Sequence, residues 1–122
     1  MTEVRLARTG GAVLLVAEDG GRPVGSAVLH PAARDPAVRS ALPGVPELAT
    51  LTVEPAEQRR GHGTALIRAA ARAAAYDGRA ALAVAVGDDN PDAARLYLRL
   101  GFRETGQRSA DTRYLVLDLR RR

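Results

Sequence analysis

The stretch VEPAEQRRGHGTALIRAAARAAA, residues 53–75, decides how the rest of the chain is interpreted. It begins at the end of an alternating segment rich in β-branched residues, which is typical of a strand. The letters RRGHG, residues 59–63, then place two arginines and two glycines in a short loop. An alanine-rich segment with helical periodicity follows without a break. A strand, a glycine loop and a helix in this order predict that the loop backbone comes close to a bound group.

The residues of this loop are suited to holding an anion. Gly61 and Gly63 carry no Cβ that would collide with a ligand. The first turn of the following helix offers unpaired N–H donors and a partial positive charge. Arg59 and Arg60 can add charge-assisted hydrogen bonds. The combination predicts a seat for a phosphate or diphosphate, although so short a motif, taken alone, is also typical of a structural turn.

Two better-known phosphate loops do not fit this segment. A P-loop requires a lysine, and the chain contains none. A dinucleotide-binding fingerprint requires a third glycine three residues after Gly63, where this chain has Leu66. An anion site here therefore belongs to a different class.

Length and composition bound the class of protein. A chain of 122 residues with 46% hydrophobic and 26% charged residues is typical of one globular domain, which we expect to span residues 1–122. No apolar run reaches the roughly 20 residues that cross a bilayer, and the charged start does not resemble a signal peptide. We therefore expect a cytoplasmic protein with no membrane partner.

Residues that the chain lacks or scatters exclude further functions. The absence of cysteine rules out disulfides, a thiolate nucleophile and cysteine metal sites. The two histidines, His30 and His62, are far apart in the sequence, so we predict no metal site. The net charge of +4 comes from scattered arginines with one run at residues 120–122, and aromatic residues make up 3%. This pattern does not favour a nucleic-acid partner, which needs clustered basic and stacking residues.

Patterning and turn signals predict a chain that is first rich in strands and then alternates strands with helices. Strands are expected at residues 4–8, 12–18, 24–30, 47–53, 80–86, 102–105 and 113–119. Helices are expected at residues 64–76 and 90–100, with a shorter helical segment at 36–42. Such an order predicts a mixed sheet flanked by helices.

A second motif lies one predicted strand beyond the glycine loop. It reads NPDAARLYLRLGF, residues 90–102, and has the form N-x6-Y-x3-GF. The pair QRRGHG and N-x6-Y-x3-GF, in this order and on these elements, resembles the GNAT family of N-acetyltransferases. The resemblance covers residues 47–102 and extends to the final hairpin. It implies an α/β (α+β) GNAT-like acyl-CoA N-acyltransferase fold, with a mixed, mostly antiparallel sheet flanked by helices.

The resemblance implies acetyl-CoA as the acyl donor and assigns residues to it. The backbone of the strand before the loop would pair with the pantetheine amides, where the family's sheet splays at a β-bulge. The glycine loop and the start of its helix would hold the diphosphate. Asn90 would reach the cofactor, although it also suits a simple helix cap. The implied cofactor-binding residues are Leu51, Thr52, Val53, Arg59, Arg60, Gly61, His62, Gly63, Thr64 and Asn90.

Tyr97 is the residue that the resemblance assigns to chemistry. It lies seven residues after Asn90 and four before Gly101, where the family often places a tyrosine near the thioester sulfur. Its implied role is to protonate the departing thiolate or to donate a hydrogen bond to it. A half-buried core aromatic is the alternative for this residue.

The acceptor amine needs a base, because a primary amine with a pKa of about 10 is only ~0.1% neutral at pH 7. Some relatives place a glutamate where this chain has Ala85. Glu47, acting through a water, is the best replacement, and an exposed charge at a strand end is its alternative. Asp88 and Asp89 are reserve candidates, whereas His62 is expected to point from the loop towards phosphate.

The chain departs from the family between its first two strands. Family members commonly insert two helices there that wall the acceptor pocket, whereas this chain has Gly10 and Gly11. We therefore expect an acceptor site that is open, built from residues 31–46, or completed by another subunit in a homodimer. The expected reaction is direct acetyl transfer to a primary amine of a small molecule or peptide. A non-catalytic CoA-binding or regulatory module is the alternative.

Overall fold

The computed structural model of the chain describes residues 1–120, and within this part seven strands form one sheet. Arg121 and Arg122, from the predicted basic run, lie outside the described residues. The strands are β1 (Thr2–Thr9), β2 (Ala12–Asp19), β3 (Arg22–His30), β4 (Glu47–Val53), β5 (Ala81–Gly87), β6 (Arg103–Ser109) and β7 (Thr112–Asp118). The helices are α1 (Pro36–Ala41), α2 (His62–Tyr76) and α3 (Pro91–Arg99).

The sheet is mixed and mostly antiparallel, as predicted. Its spatial order is β1-β2-β3-β4-β5-β7-β6. The parallel neighbours are β4 and β5, and the remaining neighbours run antiparallel. Parallel strands need a crossover connection, and α2 supplies it between β4 and β5. Among the described residues, no helix is long and apolar enough to span a bilayer.

The main core lies between α2 and one face of the sheet. Leu66, Ile67 and Ala70 of α2 are almost completely buried and pack against inward-facing residues such as Leu15 and Val24. Most of the remaining buried residues of α2 are alanines, which let the helix backbone approach the strands closely. A smaller cluster on the other side of the sheet joins residues of the α1 segment to β7 (Ala33, Val38 and Tyr114).

Local signals explain where the helices begin and end. Asn90 caps α3 by accepting a hydrogen bond from Ala93 N at 3.2 Å, and Pro91 occupies the first turn. Gly78, with φ of +78°, follows α2 and supplies the left-handed residue that ends many helices. The helix α2 begins two residues earlier than predicted, because Gly61 at φ +87° serves as its N-cap. His62 is therefore a helical residue.

The strand β6 extends to Ser109, whereas the sequence predicted an end at residue 105. Gly106 adopts φ of +81°, and the pairing of β6 with β7 shifts register between Glu104 and Arg108. The hydroxyl of Thr105 bridges this irregularity, donating to Tyr114 O at 2.7 Å. Gly106 thus marks a bulge within a strand that is longer than predicted.

The strands β4 and β5 part after a short parallel contact. Within the described chain their register comprises two pairs, Glu47 with Ala83 and Leu48 with Val84. On the opposite edge, β4 skips from Ala49 to Thr52 while β3 advances from Val28 to Ser26, which is a β-bulge. The β5-facing edge of β4 beyond Leu48 is thereby left without strand partners. The splay and bulge that the resemblance implied are both present.

Gly25 of β3 provides a direct test of how tightly the bulged part of β4 is held. A Cβ at this position would lie 2.7 Å from the carbonyl oxygen of Thr52, which is backbone and cannot rotate away. We predict that Gly25→Ala lowers the free energy of unfolding by about 1–3 kcal/mol, measured by urea denaturation. Ser26→Ala, the next residue of the strand, is the control. If Gly25→Ala were as stable as the control, the backbone of β4 would have to shift away from the added Cβ without loss of stability.

Candidate active site

The chain between β4 and α2 folds into a tight loop that aims backbone amides outward. A single 3-10 turn, Pro55–Glu57, follows the strand, and the Gln58 side-chain amide donates back to Val53 O at 3.1 Å. Arg59 adopts φ of +66° and Gly61 φ of +87°, so two reversals of direction occur within three residues. The left-handed conformation costs a non-glycine residue roughly 1–2 kcal/mol, so the loop holds Arg59 under strain.

The start of α2 presents backbone donors that the helix itself does not use. The first hydrogen bond of the helix joins Ala65 N to Gly61 O at 3.0 Å. The amides of His62, Gly63 and Thr64 precede this bond and have no intrahelical acceptor. Together with the positive end of the helix dipole, they form a site that favours an anion.

A cavity of about 580 Å³ opens at these amides, between the first turns of α2 and the side of α3. Six of the residues that the sequence assigned to the cofactor line it: Val53, Arg59, Gly61, His62, Gly63 and Thr64. The helix α3 forms the opposite wall with Asp92, Ala93, Leu96 and Arg99. The other four predicted cofactor residues, Leu51, Thr52, Arg60 and Asn90, are not among the residues that line this cavity.

Sequence reasoning missed Arg99 and Gln58 as residues of the cavity. Arg99 lies seven residues after Asp92 and three after Leu96, so the three share one face of α3. That periodicity was available in the sequence, but nothing in the sequence shows which face of α3 meets the glycine loop. The sequence shows Gln58 only as part of the motif, whereas in the structure its side-chain amide donates a hydrogen bond to Val53 O of β4.

His62 does not project from the loop towards the cavity, contrary to the sequence-based expectation. The residue His62 is 4% exposed, and its side chain lies beneath the loop. The imidazole Nδ1 is 2.7 Å from Thr2 Oγ1 of β1, and Nε2 is 3.3 Å from Glu57 Oε1. Because the side chain is held on the protein side, His62 faces the cavity through its backbone.

Glu57 is a buried carboxylate at the centre of a charged network. Arg22 donates to Oε2 at 2.7 Å, and Arg60 lies 3.6 Å from Oε1, the oxygen nearest His62. The hydrogen bond from Arg22 is the largest cause that lowers the pKa of Glu57, and His62 lowers it further. Arg60 pairs with Glu57 and is not among the residues that line the cavity, whereas Glu57 is. The sequence offered no signal for this pairing, since Arg22 is distant along the chain.

Tyr97 lies in the core and its hydroxyl is available. The ring packs against Phe102 with centroids 5.5 Å apart and planes inclined by 55°. Burial raises the pKa of Tyr97, and among the described residues none forms a hydrogen bond with its hydroxyl. A raised pKa makes full proton donation less favourable but leaves hydrogen-bond donation unimpaired. The ring of Tyr97 thus has the packing role given as its alternative, and its hydroxyl is still able to donate a hydrogen bond.

Glu47 is buried at the point where β4 and β5 part, so it is not an exposed strand-end charge. The residue is 4% exposed, and Oε1 accepts a hydrogen bond from Arg34 N at 2.9 Å. Tyr114 shares this side of the sheet, and its pKa is raised by burial first and then by the charges of Glu47 and Asp35. Tyr114 was not predicted. Its place opposite Ala85 on β5 follows from strand register, which the sequence does not show.

The remaining predicted residues occupy exposed positions near the start of α3. Arg95 pairs with Asp92 at the surface, in agreement with its predicted solvent-facing position. Asp88 pairs with Arg108 of β6, and Asp89 is an exposed turn residue. Neither aspartate is among the residues that line the cavity. Asn90 is a helix cap, the alternative given for it.

The sequence model of the acetyltransferase (GNAT) family matches residues 2–102, and the chain belongs to that family. Among curated proteins, none matches the chain significantly.

Solved structures share the fold at low sequence identity. The chain is similar to a GNAT acetyltransferase from Elizabethkingia anophelis with acetyl-CoA bound, at 14% identity and a TM-score of 0.76, covering 96% of this chain and 97% of that one. It resembles PH1933 from Pyrococcus horikoshii at 20% identity and a TM-score of 0.71, covering 86% of this chain and 64% of that one. It also resembles yncA from Salmonella typhimurium, solved with its cofactor acetyl-CoA, at 25% identity, a TM-score of 0.70 and coverages of 89% and 65%.

The charge network beneath the loop makes a prediction about acid stability. A carboxyl whose folded pKa lies below its unfolded value of about 4.5 stabilises the fold above that pH. Its contribution is lost as the pH falls through the lower, folded value. We predict that Glu57→Gln destabilises the protein at pH 7 and that this difference shrinks at pH 3, measured by urea denaturation at both values. Glu3→Gln, on the exposed side of β1, is the control, and a difference that stays constant with pH would contradict the role given to Glu57.

Proposed function

We propose that the protein transfers the acetyl group of acetyl-CoA to a primary amine by direct attack, without a covalent enzyme intermediate. The observation that carries this proposal is the conjunction of an unpaired β4 edge with the amides at the start of α2. The β4 edge can pair with the pantetheine amides, and the amides of α2 can hold the diphosphate of the same CoA molecule. The similar proteins solved with acetyl-CoA support this choice of ligand.

The donor would lie along β4 and end at the glycine loop. The backbone of Leu51, Thr52 and Val53 is open on the side facing β5, and Thr52 and Val53 pair with β3 on the other side. This arrangement suits the segment to pair with an extended ligand. The amides of residues 62–64 and the flexible backbone at Gly61 would hold the diphosphate. Arg59 lines the cavity, and Arg60 would join it by leaving Glu57.

The acceptor amine must lose a proton for the transfer to proceed. A primary amine with a pKa of about 10 is protonated at pH 7, which adds about 4 kcal/mol to the barrier. We assign Glu47 as the base, acting through a water, because it is a carboxylate at the splay that accepts a hydrogen bond from Arg34 N at Oε1. Its buried position also places it beside the residues 31–46 that would form the acceptor side.

The transfer then forms one bond and breaks another. After the ammonium has given one proton through the water to Glu47, the neutral amine nitrogen bonds to the acetyl carbon while the carbon–sulfur bond breaks, and the second proton lost from nitrogen passes to the departing sulfur to give the CoA thiol. Until this proton arrives, the hydroxyl of Tyr97 would stabilise the departing thiolate by a hydrogen bond. Backbone N–H groups of β4 would polarise the thioester carbonyl. Small-molecule or peptide amines are the proposed acceptors, and a homodimer and a cytoplasmic location stay predictions.

A non-catalytic CoA-binding module is the second candidate, and two observations favour it. Ala85 stands where some relatives carry a glutamate, and a Gly10-Gly11 turn joins β1 to β2 directly. The two functions separate in one assay. A thermal shift with acetyl-CoA tests binding, and release of free thiol in a panel of primary amines tests transfer. Binding without amine-dependent thiol release from any acceptor would favour the second candidate, and absence of binding would contradict both.

Substitution of Gly61 tests the loop. Its φ of +87° lies in a region that β-branched residues avoid, so Gly61→Val should disturb the loop and weaken CoA binding at least tenfold, measured by calorimetry. Gly78→Val is a matched control, since Gly78 has φ of +78° and equally open surroundings at the other end of α2. Both variants should lose similar stability. Equal CoA affinity in the two would remove the loop from the binding site.

Substitution of Tyr97 tests the assignment at the sulfur. Tyr97→Phe keeps the ring against Phe102 and removes the hydroxyl, so turnover should fall about 10²-fold while CoA affinity is nearly unchanged. Tyr76→Phe is the control, because Tyr76 is 89% exposed at the end of α2. Wild-type turnover in Tyr97→Phe would leave this tyrosine with a packing role alone.

A further inference from the structure

A buried pair of titratable groups lies directly beneath the diphosphate loop. His62 is 4% and Glu57 7% exposed, and the imidazole Nε2 is 3.3 Å from Glu57 Oε1. On its other side, the ring contacts Thr2 Oγ1 at 2.7 Å. The backbone of His62 supplies one of the amides at the start of α2, so this pair joins the anion site to β1 and to the turn before the loop.

The hydrogen-bond partners of His62 allow it to gain a proton without moving. A carboxylate only accepts, so Nε2 carries a hydrogen and donates to Glu57 in either charge state. A hydroxyl both donates and accepts, so Thr2 donates to Nδ1 of the neutral ring and accepts from Nδ1–H of the charged ring. Rotation of one hydroxyl hydrogen therefore accompanies protonation, and both states satisfy every polar atom of the ring.

The charges around His62 balance when its ring is neutral. Glu57 and Glu54 of the turn face Arg22 of β3, and Glu57 also faces Arg60 of the loop. Asp19 of β2 pairs with the amino group of Met1 at 3.2 Å, and its charge also acts on His62. Ligand atoms of Asp19, Glu57 and His62 lie within 4.8 Å of one another, but the arginines and the terminal amine already compensate these carboxylates. A protonated ring adds one positive charge next to the anion site.

We propose that His62 is a positioning residue whose protonation strengthens binding of the CoA diphosphate, so that a proton is taken up when the cofactor binds. This inference rests on the proposed function, since it names a further determinant of the same site. Linkage is reciprocal: if the added charge on His62 attracts the diphosphate, the bound diphosphate attracts a proton to His62 by the same factor. The arginine Arg60 is freed from Glu57 by the same event, because the charged ring takes over its role towards that carboxylate.

The structure suits this coupling better than a surface histidine would. Burial of the ring limits screening by solvent and salt, and the ring belongs to the first residue of the helix that carries the anion site. Histidine is the residue type whose charge ordinarily changes between pH 5 and 8, so the measurements below cover that interval. Cofactor affinity should then rise as the pH falls through that range.

Calorimetry of CoA binding in two buffers of different ionisation enthalpy measures the proton uptake. At pH 6.5 we expect wild-type protein to take up more protons per CoA than His62→Gln, which keeps a hydrogen-bonding side chain but cannot be protonated. The wild-type gain in affinity between pH 8 and pH 5.5 should exceed that of His62→Gln about fivefold, the lower end of measured site–site couplings. Subtracting the variant removes proton exchange by the CoA phosphates. His30→Gln is the matched control and should behave as wild type.

Nuclear magnetic resonance of the wild-type protein tests the inference without a substitution, so a folding defect of a variant cannot affect the result. The chain has two histidines, so their ring signals can be followed against pH with and without CoA. Saturating CoA should move the titration of His62 to higher pH and leave His30 unchanged. Bound CoA with an unmoved His62 titration, or equal proton uptake by wild type and His62→Gln, would overturn this inference and leave the proposed function standing. Failure of CoA to bind wild-type protein would contradict both.

Discussion

The separation of β4 from β5 leaves main-chain N–H and C=O groups of β4 without strand partners in the middle of the sheet. Parallel strands normally continue their ladder, and here the ladder stops after the pair of Leu48 with Val84. The bulge at residues 50–51 turns the strand while its pairing with β3 resumes at Thr52, and its β5-facing edge is left open. Unpaired backbone polar groups are costly unless water or a ligand satisfies them. An open run of such groups inside a sheet, rather than at its edge, is suited to pair with an extended ligand.

Main-chain recognition explains why so few side chains need to be fixed at this site. A strand edge and a helix start are set by the fold, and neither depends on the chemistry of a particular side chain. The side chains of Gly61 and Gly63 matter through their absence, and Arg59 contributes a charge at a strained position. Solved structures share the fold of this chain at 14–25% identity.

Much of the fold could be predicted from the sequence, because local signals determined it. Patterning and turn signals predicted the seven strands, Asn90 predicted the start of a helix, and the pair of motifs predicted the mixed, mostly antiparallel sheet through a family resemblance. Contacts distant in sequence could not be predicted. The burial of His62 depends on Thr2 and Glu57, and Glu47 is enclosed by the backbone of Arg34. A short glycine motif says that backbone is near a ligand, but not which neighbouring side chains point inward.

We propose that the amides of residues 62–64 hold the diphosphate of CoA. Titration of ¹⁵N-labelled protein with CoA, followed by amide resonances, tests this claim most directly. It predicts the largest shifts at His62, Gly63 and Thr64, with smaller shifts along Leu51 to Val53. Adenosine diphosphate, which has the diphosphate without pantetheine, should shift the first group and not the second. Shifts confined to other parts of the surface, or none at saturating CoA, would contradict the account.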